Sequence, residues 1–401
     1  MKFCFILTQD LESPSGLGRY YPWANELNKL GNQVEIIALH GNYKSLKEKK
    51  QYFQKDFSVH YVSNMHVVKK GNTKKYFPLI KLMWVVFIAS IRLIYFSFVS
   101  DADIYIVGKP HPMNGIAGIF CKIMLRKFLI VDCDDDETNS GNFKGNWQKL
   151  IIQFFELKVP QFADQVTTNT LYSEERLIKS GIDVKKIYYL SNGVDPSRFN
   201  NIKNDKLECL REKLGLIDKK VIAYIGSMSL SNHAINLLID AFSLIGNENK
   251  NYMLLMVGVG EDYELIRNFV NNKELNSFVI FTGKIHPDQV KYYYKLADVT
   301  VDPVFADIAA KARSPLKLFE SVICGTPILT MAVGDRNVLK NISKKIIIVE
   351  DFKPKIIAEK IKLVIDLGYR DLEEISIIKT YFWNNLVVRF VSFLKGIYEP
   401  Q

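Results

Sequence analysis

Apolar and polar positions fall in blocks along the chain. Short β-branched or aromatic runs at 2–8, 33–39, 57–62, 103–107, 128–132, 165–168 and 186–190 are bounded by turn residues and read as buried strands. Stretches with helical spacing, 19–30, 113–126 and 147–159, lie between several of them. The pattern restarts with strands at 221–225, 252–257, 277–281, 299–302, 328–331 and 345–349, and helices at 234–245, 262–271, 287–296 and 315–324. Strands alternating with helices predict an α/β protein with parallel sheets covered on both faces. A chain of 401 residues exceeds one ordinary core, so two domains are expected. The turn-rich SNGVDPSRF, ending at Phe199, puts the boundary near 200 and gives domains at 1–200 and 201–380.

The most informative stretch is 311–330, KARSPLKLFESVICGTPILT. Ser314 suits an N-cap and Pro315 the first helical position. Gly325 is placed to end the helix in a left-handed turn, and Pro327 prevents its continuation. Lys317 falls in the first turn, where the macrodipole favours an anion. With Lys311 and Arg313 it surrounds the N–H groups of a helix start, an arrangement that binds anions. Glu320 lies one turn further in, among apolar neighbours; paired ribose hydroxyls would satisfy it. A surface helix with solvated lysines and a half-exposed Glu320 is the plainer alternative.

SPLKLFESVICGTPIL resembles the donor-binding segment of the retaining, glycogen-synthase-like family 4 of GT-B glycosyltransferases. The likeness extends over most of 191–331. LSNGVDPSRF is similar to the family's interdomain motif. VIAYIGSMSLSNHAINLLIDAF is similar to its first strand, phosphate loop and helix, and VIFTGKIHPDQVKYYYKLADVTVDP to its base-binding strand and following helix. The resemblance implies two doubly wound Rossmann-like domains facing a cleft, with a last helix at 381–401 returning to the first domain. It puts the base near Lys284, the diphosphate at the helix start by Leu316 and Lys317, and the ribose on Glu320. Three positions depart from the family. Ala312 stands where an additional Glu is common, Ser227 follows Gly226 in place of Arg, and Asn232 stands in place of Lys.

Other motifs fit the same frame less closely. Gly16 and Gly18 follow the first strand and allow close backbone approach to a ligand, although a plain turn reads equally well. In the resembling family this loop borders the donor phosphates and the acceptor. Gly258 and Gly260 read as a strand-end turn. Asp132, Asp134, Asp135, Asp136 and Glu137 crowd together after a strand, and such carboxylates must be solvated, paired or metal-bound. Asp134 and Asp135 take the place of a His-Asp pair that faces the sugar in many GT-B relatives. A capping loop or an Asp-x-Asp metal site are the other readings. His111 follows the strand at 103–107, where ends of parallel strands line ligand crevices, so it is either an acceptor contact or a structural loop residue.

The resemblance thus implies a retaining transferase that moves a sugar from a nucleotide-sugar to a hydroxyl on a glycan or lipid-linked acceptor, in cell-surface polysaccharide or glycolipid synthesis. The donor side would comprise Gly16, Gly18, Gly226, Ser227, Lys284, Lys311, Arg313, Leu316, Lys317 and Glu320. His111, Asp134 and Asp135 would do the chemistry, with no metal and no other cofactor. A GT-B protein that binds nucleotide-sugar or glycan without turnover is the reading that the three departures leave open.

Charge and hydropathy add a surface. The formal net charge is +10, and residues 41–81 carry ten lysines against Glu48 and Asp56. An anionic membrane, a nucleic acid or an acidic polymer would suit that segment. Beside it, 79–98 is strongly apolar and interrupted by Lys81 and Arg92. It reads as a buried helix, a membrane-surface helix or a spanning one, and its ten-residue uncharged run falls short of the roughly 20 needed to span. Nucleic acid is not expected, because the aromatics of the basic segment form no stacking platform. Five cysteines without paired spacing and a first apolar run too short for a signal peptide lead to the expectation of a cytoplasmic protein, and the basic and apolar stretches to that of peripheral association with the inner face of the membrane.

Overall fold

The computed structural model describes residues 1–13, 15–54, 57–70, 73–140, 145–351, 353–369 and 376–398. The chain divides into two compact units. One contains Met1–Gly193, Ala312–Ser314 and Trp383–Gln401, the other Val194–Lys311 and Pro315–Phe382.

The first unit contains the strands β1 (Lys2–Leu7), β2 (Gln33–His40), β3 (Lys50–Gln54), β4 (Phe57–Asn64), β5 (Val67–Lys70), β6 (Thr73–Tyr76), β7 (Ile104–Gly108), β8 (Phe128–Cys133), β9 (Gln165–Thr168) and β10 (Ile187–Tyr189). Eight of them form one sheet in the order β10-β9-β8-β7-β1-β2-β4-β3, parallel except for the β3–β4 pair, and β5 and β6 pair separately. The chain leaves β1 towards β2 and later crosses back to β7, so the strand order reverses between β1 and β7. Ligands of open α/β sheets bind outside the strand C-termini at such a point. β1 reads KFCFIL with five of six residues buried, as expected of a central parallel strand covered on both faces. The helix Trp383–Lys395 closes one face, where Phe390 meets Trp23 edge-on at 5.1 Å.

The sequence places a helix from residue 19. The structure forms a π-turn over Gly16–Tyr20 and the α-helix only from Tyr21. The Tyr21 N–H reaches back to the Gly16 carbonyl, and Pro22 has no N–H to donate. Among the elements absent from the expectation are β3 and the β5–β6 hairpin.

The second unit contains β11 (Lys220–Ile225), β12 (Tyr252–Val257), β13 (Val279–Gly283), β14 (Val299–Asp302), β15 (Ile328–Met331) and β16 (Ile346–Val349). Its sheet is wholly parallel, in the order β13-β12-β11-β14-β15-β16. Its switch point lies between β11 and β14. The helix Leu316–Ile323 ends in a Schellman turn: Gly325 has φ of 74°, its N–H donates to the Val322 carbonyl at 2.9 Å, and the Thr326 N–H donates to Ser321 at 3.0 Å. At the other end the N-cap is Pro315 rather than Ser314, and no side chain caps the first amides.

The apolar stretch at 79–98 is a 22-residue helix, Leu79–Ser100. It is not the buried helix that one of the sequence readings describes. Val85, Ala89, Leu93, Ser97 and Ser100 form its only buried stripe, and Ala89 and Leu93 pack with Ile6, Ile37 and Met113 in the unit's core. Ile80, Met83, Trp84, Phe87, Tyr95 and Phe98 are exposed, Ile80 to 85%. The side chains of Lys69, Lys70, Lys74 and Lys75 beside it lie outside what the structure describes.

Candidate functional site

In the first unit the chemistry gathers at the C-terminal ends of β1, β7 and β8. β7 ends at Gly108, and Lys109 adopts a left-handed backbone with φ of 54°. That conformation is unfavourable for a residue other than glycine and must be held by its surroundings. Asn114 holds it. Its Nδ2 donates to the carbonyls of Gly108 at 2.7 Å, Ile6 at 3.2 Å and Lys109 at 3.2 Å, and its Oδ1 accepts from the His111 N–H at 2.9 Å. The buried Lys109 ammonium is thereby delivered to the acidic loop after β8. It pairs with Asp135, lies 3.0 Å from Glu137 and 3.7 Å from Asp134.

The remaining carboxylates of that loop have cations of their own. Arg19 is 1% exposed and grips Asp132 with two hydrogen bonds of 2.8 and 2.6 Å, while its Nη1 donates to the Leu190 carbonyl and to Asn192, both at 3.0 Å. Asp136 is 3.2 Å from Arg176, and Glu156 accepts the Glu137 and Thr138 N–H groups, fixing the loop. The five carboxylates are therefore dispersed among Arg19, Lys109 and Arg176. Among the described residues no three His, Cys, Asp or Glu side chains are grouped as metal ligands.

Of the candidate pair, Asp134 is buried and accepts from Asn169 at 2.6 Å, whereas the Asp135 side chain is 22% exposed. His111 Nε2 lies 3.5 Å from Glu137, and its ring stacks on His66 at 6.0 Å. Burial and the Asp135 charge push the Asp134 carboxyl up to about 7, although Lys109 and Arg19 pull the other way. Burial also opposes the charge of Glu137, but Lys109 and His111 hold it well below the usual carboxylate range. Gly16 and Gly18 are buried beside β1; a Cβ on Gly16 would lie 2.5 Å from the Asp10 carbonyl oxygen, so the turn tolerates no larger residue.

The raised Asp134 value has a consequence for stability. A carboxyl with a folded pKa near 7 and an ordinary value of 3.8 contributes stability that is full below pH ~4 and is lost as pH rises through 7. Asp134→Asn keeps an oxygen acceptor for Asn169 and removes the titration. Amide-exchange protection of β8 and β9 is expected to fall in the wild type relative to this variant between pH 4 and 7; parallel profiles would refute the assignment.

In the second unit, Gly226 follows β11 with φ of 155°, and a Cβ there would lie 2.7 Å from Lys317 Cε. The glycine thus gives Lys317 room to lie against the loop. Lys317 Nζ is 3.2 Å from Asp302, at the end of β14, and 4.5 Å from the centre of the Tyr224 ring. Arg336, 1% exposed, binds the same carboxylate through Nε and Nη2, each at 2.9 Å. Burial opposes the Asp302 charge, but Arg336, then Lys317 and His233, hold its pKa well below the usual range. Two cations share one carboxylate, so the group is net positive beside uncapped helix amides, as an anion site requires. Glu320, one turn on, accepts from the Tyr294 hydroxyl at 2.9 Å. Burial raises its pKa, against Arg198, Tyr294 and Lys317.

Gly226, Lys317 and Glu320 therefore converge, and Ser227 joins them through its carbonyl, which accepts from the Tyr224 hydroxyl at 2.5 Å. Leu316 begins the helix and is half-buried. Lys311 and Lys284 are exposed, the latter just past the left-handed Gly283 (φ 70°), and among the described residues neither is drawn into the cation group by an ion pair. Arg313 belongs to the Ala312–Ser314 segment of the first unit. Asn232 donates to the Ser229 hydroxyl at 2.9 Å, and Ala312 is fully buried. Gly258 and Gly260 buttress the loop after β11: a Cβ on either would lie 2.1–2.2 Å from the carbonyl oxygens of Gly226 and Met228. Arg19, Lys109, Tyr294, Asp302 and Arg336 are the site residues that sequence spacing does not flag.

Residues 219–366 match the family Glycosyl transferases group 1. Among curated proteins, the chain is 29% identical over 157 residues to an alpha-monoglucosyldiacylglycerol synthase of Streptococcus pneumoniae, covering 39% of this chain and 32% of that one. It is 23% identical to an alpha-galactosylglucosyldiacylglycerol synthase of the same organism, over 46% of this chain and 47% of the relative. The chain thus spans about a third to a half of these relatives. Among solved structures, sucrose-phosphate synthase from Thermosynechococcus elongatus aligns with a TM-score of 0.75 at 15% identity, covering 99% of this chain and 98% of that one. Anabaena HepE in complex with UDP and glucose aligns with a TM-score of 0.72 at 16% identity, covering 98% and 99%. At these identities the structural likeness carries the fold.

Proposed function

We propose that this chain, whose residues 219–366 belong to the group 1 glycosyl transferases and whose two Rossmann-like domains have the GT-B fold, transfers a sugar from a nucleotide-sugar to a hydroxyl acceptor with retention at the anomeric carbon. The observation that carries this reading is the cation group of Lys317, Arg336 and Asp302 beside Gly226, one helical turn from Glu320, inside the segment matched by the family. Lys317 and the first amides of its helix hold the diphosphate and stabilise the charge it gains on leaving. Glu320 accepts from the ribose hydroxyls, with Tyr294 orienting its carboxylate. Gly16 and Gly18 border the donor, and His111, Asp134 and Asp135 meet the transferred sugar or the acceptor. The cations of the chain supply the charge that a metal would, so transfer proceeds without one.

Thermal-shift and calorimetric screening against UDP-, GDP- and ADP-sugars tests donor binding. Product analysis by NMR, with and without EDTA, then reads transfer, anomeric outcome and metal dependence. Donor binding with no transfer to any acceptor would select the other reading, a nucleotide-sugar or glycan-binding partner protein. The replacement of family cations by Ser227 and Asn232 favours that alternative.

The acceptor is lipid-linked, in glycolipid or cell-surface polysaccharide synthesis, and the protein works peripherally on an anionic membrane surface. Support comes from the glycolipid-synthase relatives and from the helix Leu79–Ser100, which holds one stripe in the core and presents the rest. At 22 residues it has the length to span a bilayer, but spanning would strip Ala89 and Leu93 from that core. Apolar insertion and lysine attraction, about 1 kcal/mol per lysine near the surface, act together. The protein is expected to co-sediment with phosphatidylglycerol vesicles at low salt and to release at high salt. Ile80→Ser combined with Phe87→Ser should release it at both. A wild type that stays in the supernatant at low salt would rule out the surface and make a soluble acceptor the better reading.

A further inference from the structure

Between the segment after β2 and the helix Leu79–Ser100 lies a recess of about 510 Å³, within the size range of small-ligand sites. Its wall is divided by chemistry. Phe77, Trp84 and Ile88 supply apolar surface continuous with the exposed face of the helix, and Lys44, Lys81 and Arg92 supply positive charge. Among the described residues no acidic side chain lines it. Arg92 is fixed by neutral partners: its Nη1 donates to the Val62 carbonyl at 2.9 Å and to the Tyr43 hydroxyl at 3.1 Å. Lys81 lies 5.0 Å from the centre of the Phe77 ring. These contacts position both cations without neutralising them. The recess is also lined by Ser63 and Asn64 at the C-terminal end of β4, the same end of the sheet as the Lys109 cluster. His66, two residues further along, stacks on His111 at 6.0 Å.

We infer that this recess binds the phosphate of a single membrane lipid, with the phosphate among Lys44, Lys81 and Arg92 and the chain running over Phe77, Trp84 and Ile88 onto the helix. Three cations, with no carboxylate among the described lining residues, select an anion; the adjoining apolar wall selects an anion attached to a hydrocarbon chain. A free sugar phosphate would leave that wall wet, and a neutral lipid would leave the cations unmatched. The inference rests on the membrane reading above but not on donor binding, and it places a phosphate-bearing lipid on the side of the fold where His111 lies.

Monomeric farnesyl phosphate, farnesol and inorganic phosphate separate the contributions in calorimetry on the full chain. Farnesyl phosphate is expected to bind saturably, at least tenfold more tightly than farnesol, and inorganic phosphate is expected not to saturate. Lys44→Gln with Lys81→Gln, both exposed and without structural hydrogen bonds among the described residues, should weaken farnesyl phosphate at least tenfold. Arg92→Gln should weaken it further. Ile80→Ser with Phe87→Ser, which leaves the three cations in place, should weaken farnesyl phosphate less than the lysine pair does while lowering vesicle binding more. Equal affinity for farnesol and farnesyl phosphate, or an unchanged affinity in the lysine pair, overturns the recess. Vesicle binding that persists without farnesyl phosphate binding overturns the recess alone and leaves the membrane surface standing.

Discussion

Replacing Lys317 with methionine is expected to lower kcat by about 10²–10³-fold, the usual cost of removing one fixed donor from a site of developing negative charge. The side chain is preset for that task. It lies against Gly226, where even a Cβ would collide with it, and over the Tyr224 ring at 4.5 Å, so little conformational freedom is lost when a diphosphate arrives. Asp302 does not cancel it, because Arg336 already binds that carboxylate with two nitrogens. The absence of a cation at Ser227 and Asn232 concentrates the demand on this lysine. Methionine keeps the apolar stem and removes only the charge, so the fold of the loop is retained. Glu320→Ala should behave differently. On the proposed reading its carboxylate serves the ribose, which does not change in the reaction, so the loss of about 1–3 kcal/mol should appear in KM and donor affinity with kcat nearly unchanged. Steady-state kinetics on both variants decide the matter. An unchanged kcat in Lys317→Met would remove the lysine from the reaction, and equal effects of the two variants on kcat would remove the division of labour.

The parts of the fold that the sequence reveals are those whose energetics are local. The strands at 165–168, 252–257, 299–302 and 328–331 coincide residue for residue with β9, β12, β14 and β15, because a parallel strand covered on both faces is a continuous apolar run cut off by turn residues. Gly325 is legible for the same reason: a left-handed helix end favours glycine whatever surrounds it. β3, KQYFQ, is a short antiparallel edge strand in which Tyr52 and Phe53 are exposed, so it carries no run of buried apolar positions to distinguish it from a loop. In the site, the residues on one short segment, such as Lys317 and Glu320, could be picked out together. Their partners could not. Arg19 and Asp132 are 113 positions apart, and Arg336 and Asp302 are 34 apart, distances set by the strand order rather than by any local period. The signal for Arg19 and Lys109 was indirect. Five carboxylates in six residues after a strand demand buried cations, and cations just beyond neighbouring strands are the ones within reach. The start of the helix at Pro315 rather than Ser314 reflects tertiary context: the Ser314 carbonyl accepts from Asn192 at 3.3 Å within the first unit, which holds that residue outside the helix.

The Arg19–Asp132 pair should carry the largest stability effect in the first unit. Both side chains are inaccessible, and the carboxylate also accepts from the Thr167 hydroxyl at 2.6 Å. A buried pair of this kind adds little over an apolar replacement of the same shape, since desolvation offsets most of the attraction. Removing one partner is another matter, because it strands the other charge; Arg19→Met is expected to cost about 3–5 kcal/mol. That is a large share of the ~5–15 kcal/mol that stabilises an ordinary domain. Asp132→Asn in the same chain removes the stranded charge and still offers the Thr167 hydroxyl an acceptor, so the double variant should recover most of the loss. The arginine is also the tie between β8, the Leu190 carbonyl beyond β10 and the turn that follows β1. Its loss should therefore be felt as faster amide exchange in β1, β8 and β9, with β11, β12 and β14 unaffected. Because two units need not unfold together, exchange resolved by strand is the appropriate measurement, not a single melting temperature. A cost below about 1 kcal/mol in Arg19→Met, or a double variant no more stable than the single one, would show that Asp132 is solvated in solution and that the pair does not hold the acidic loop in place.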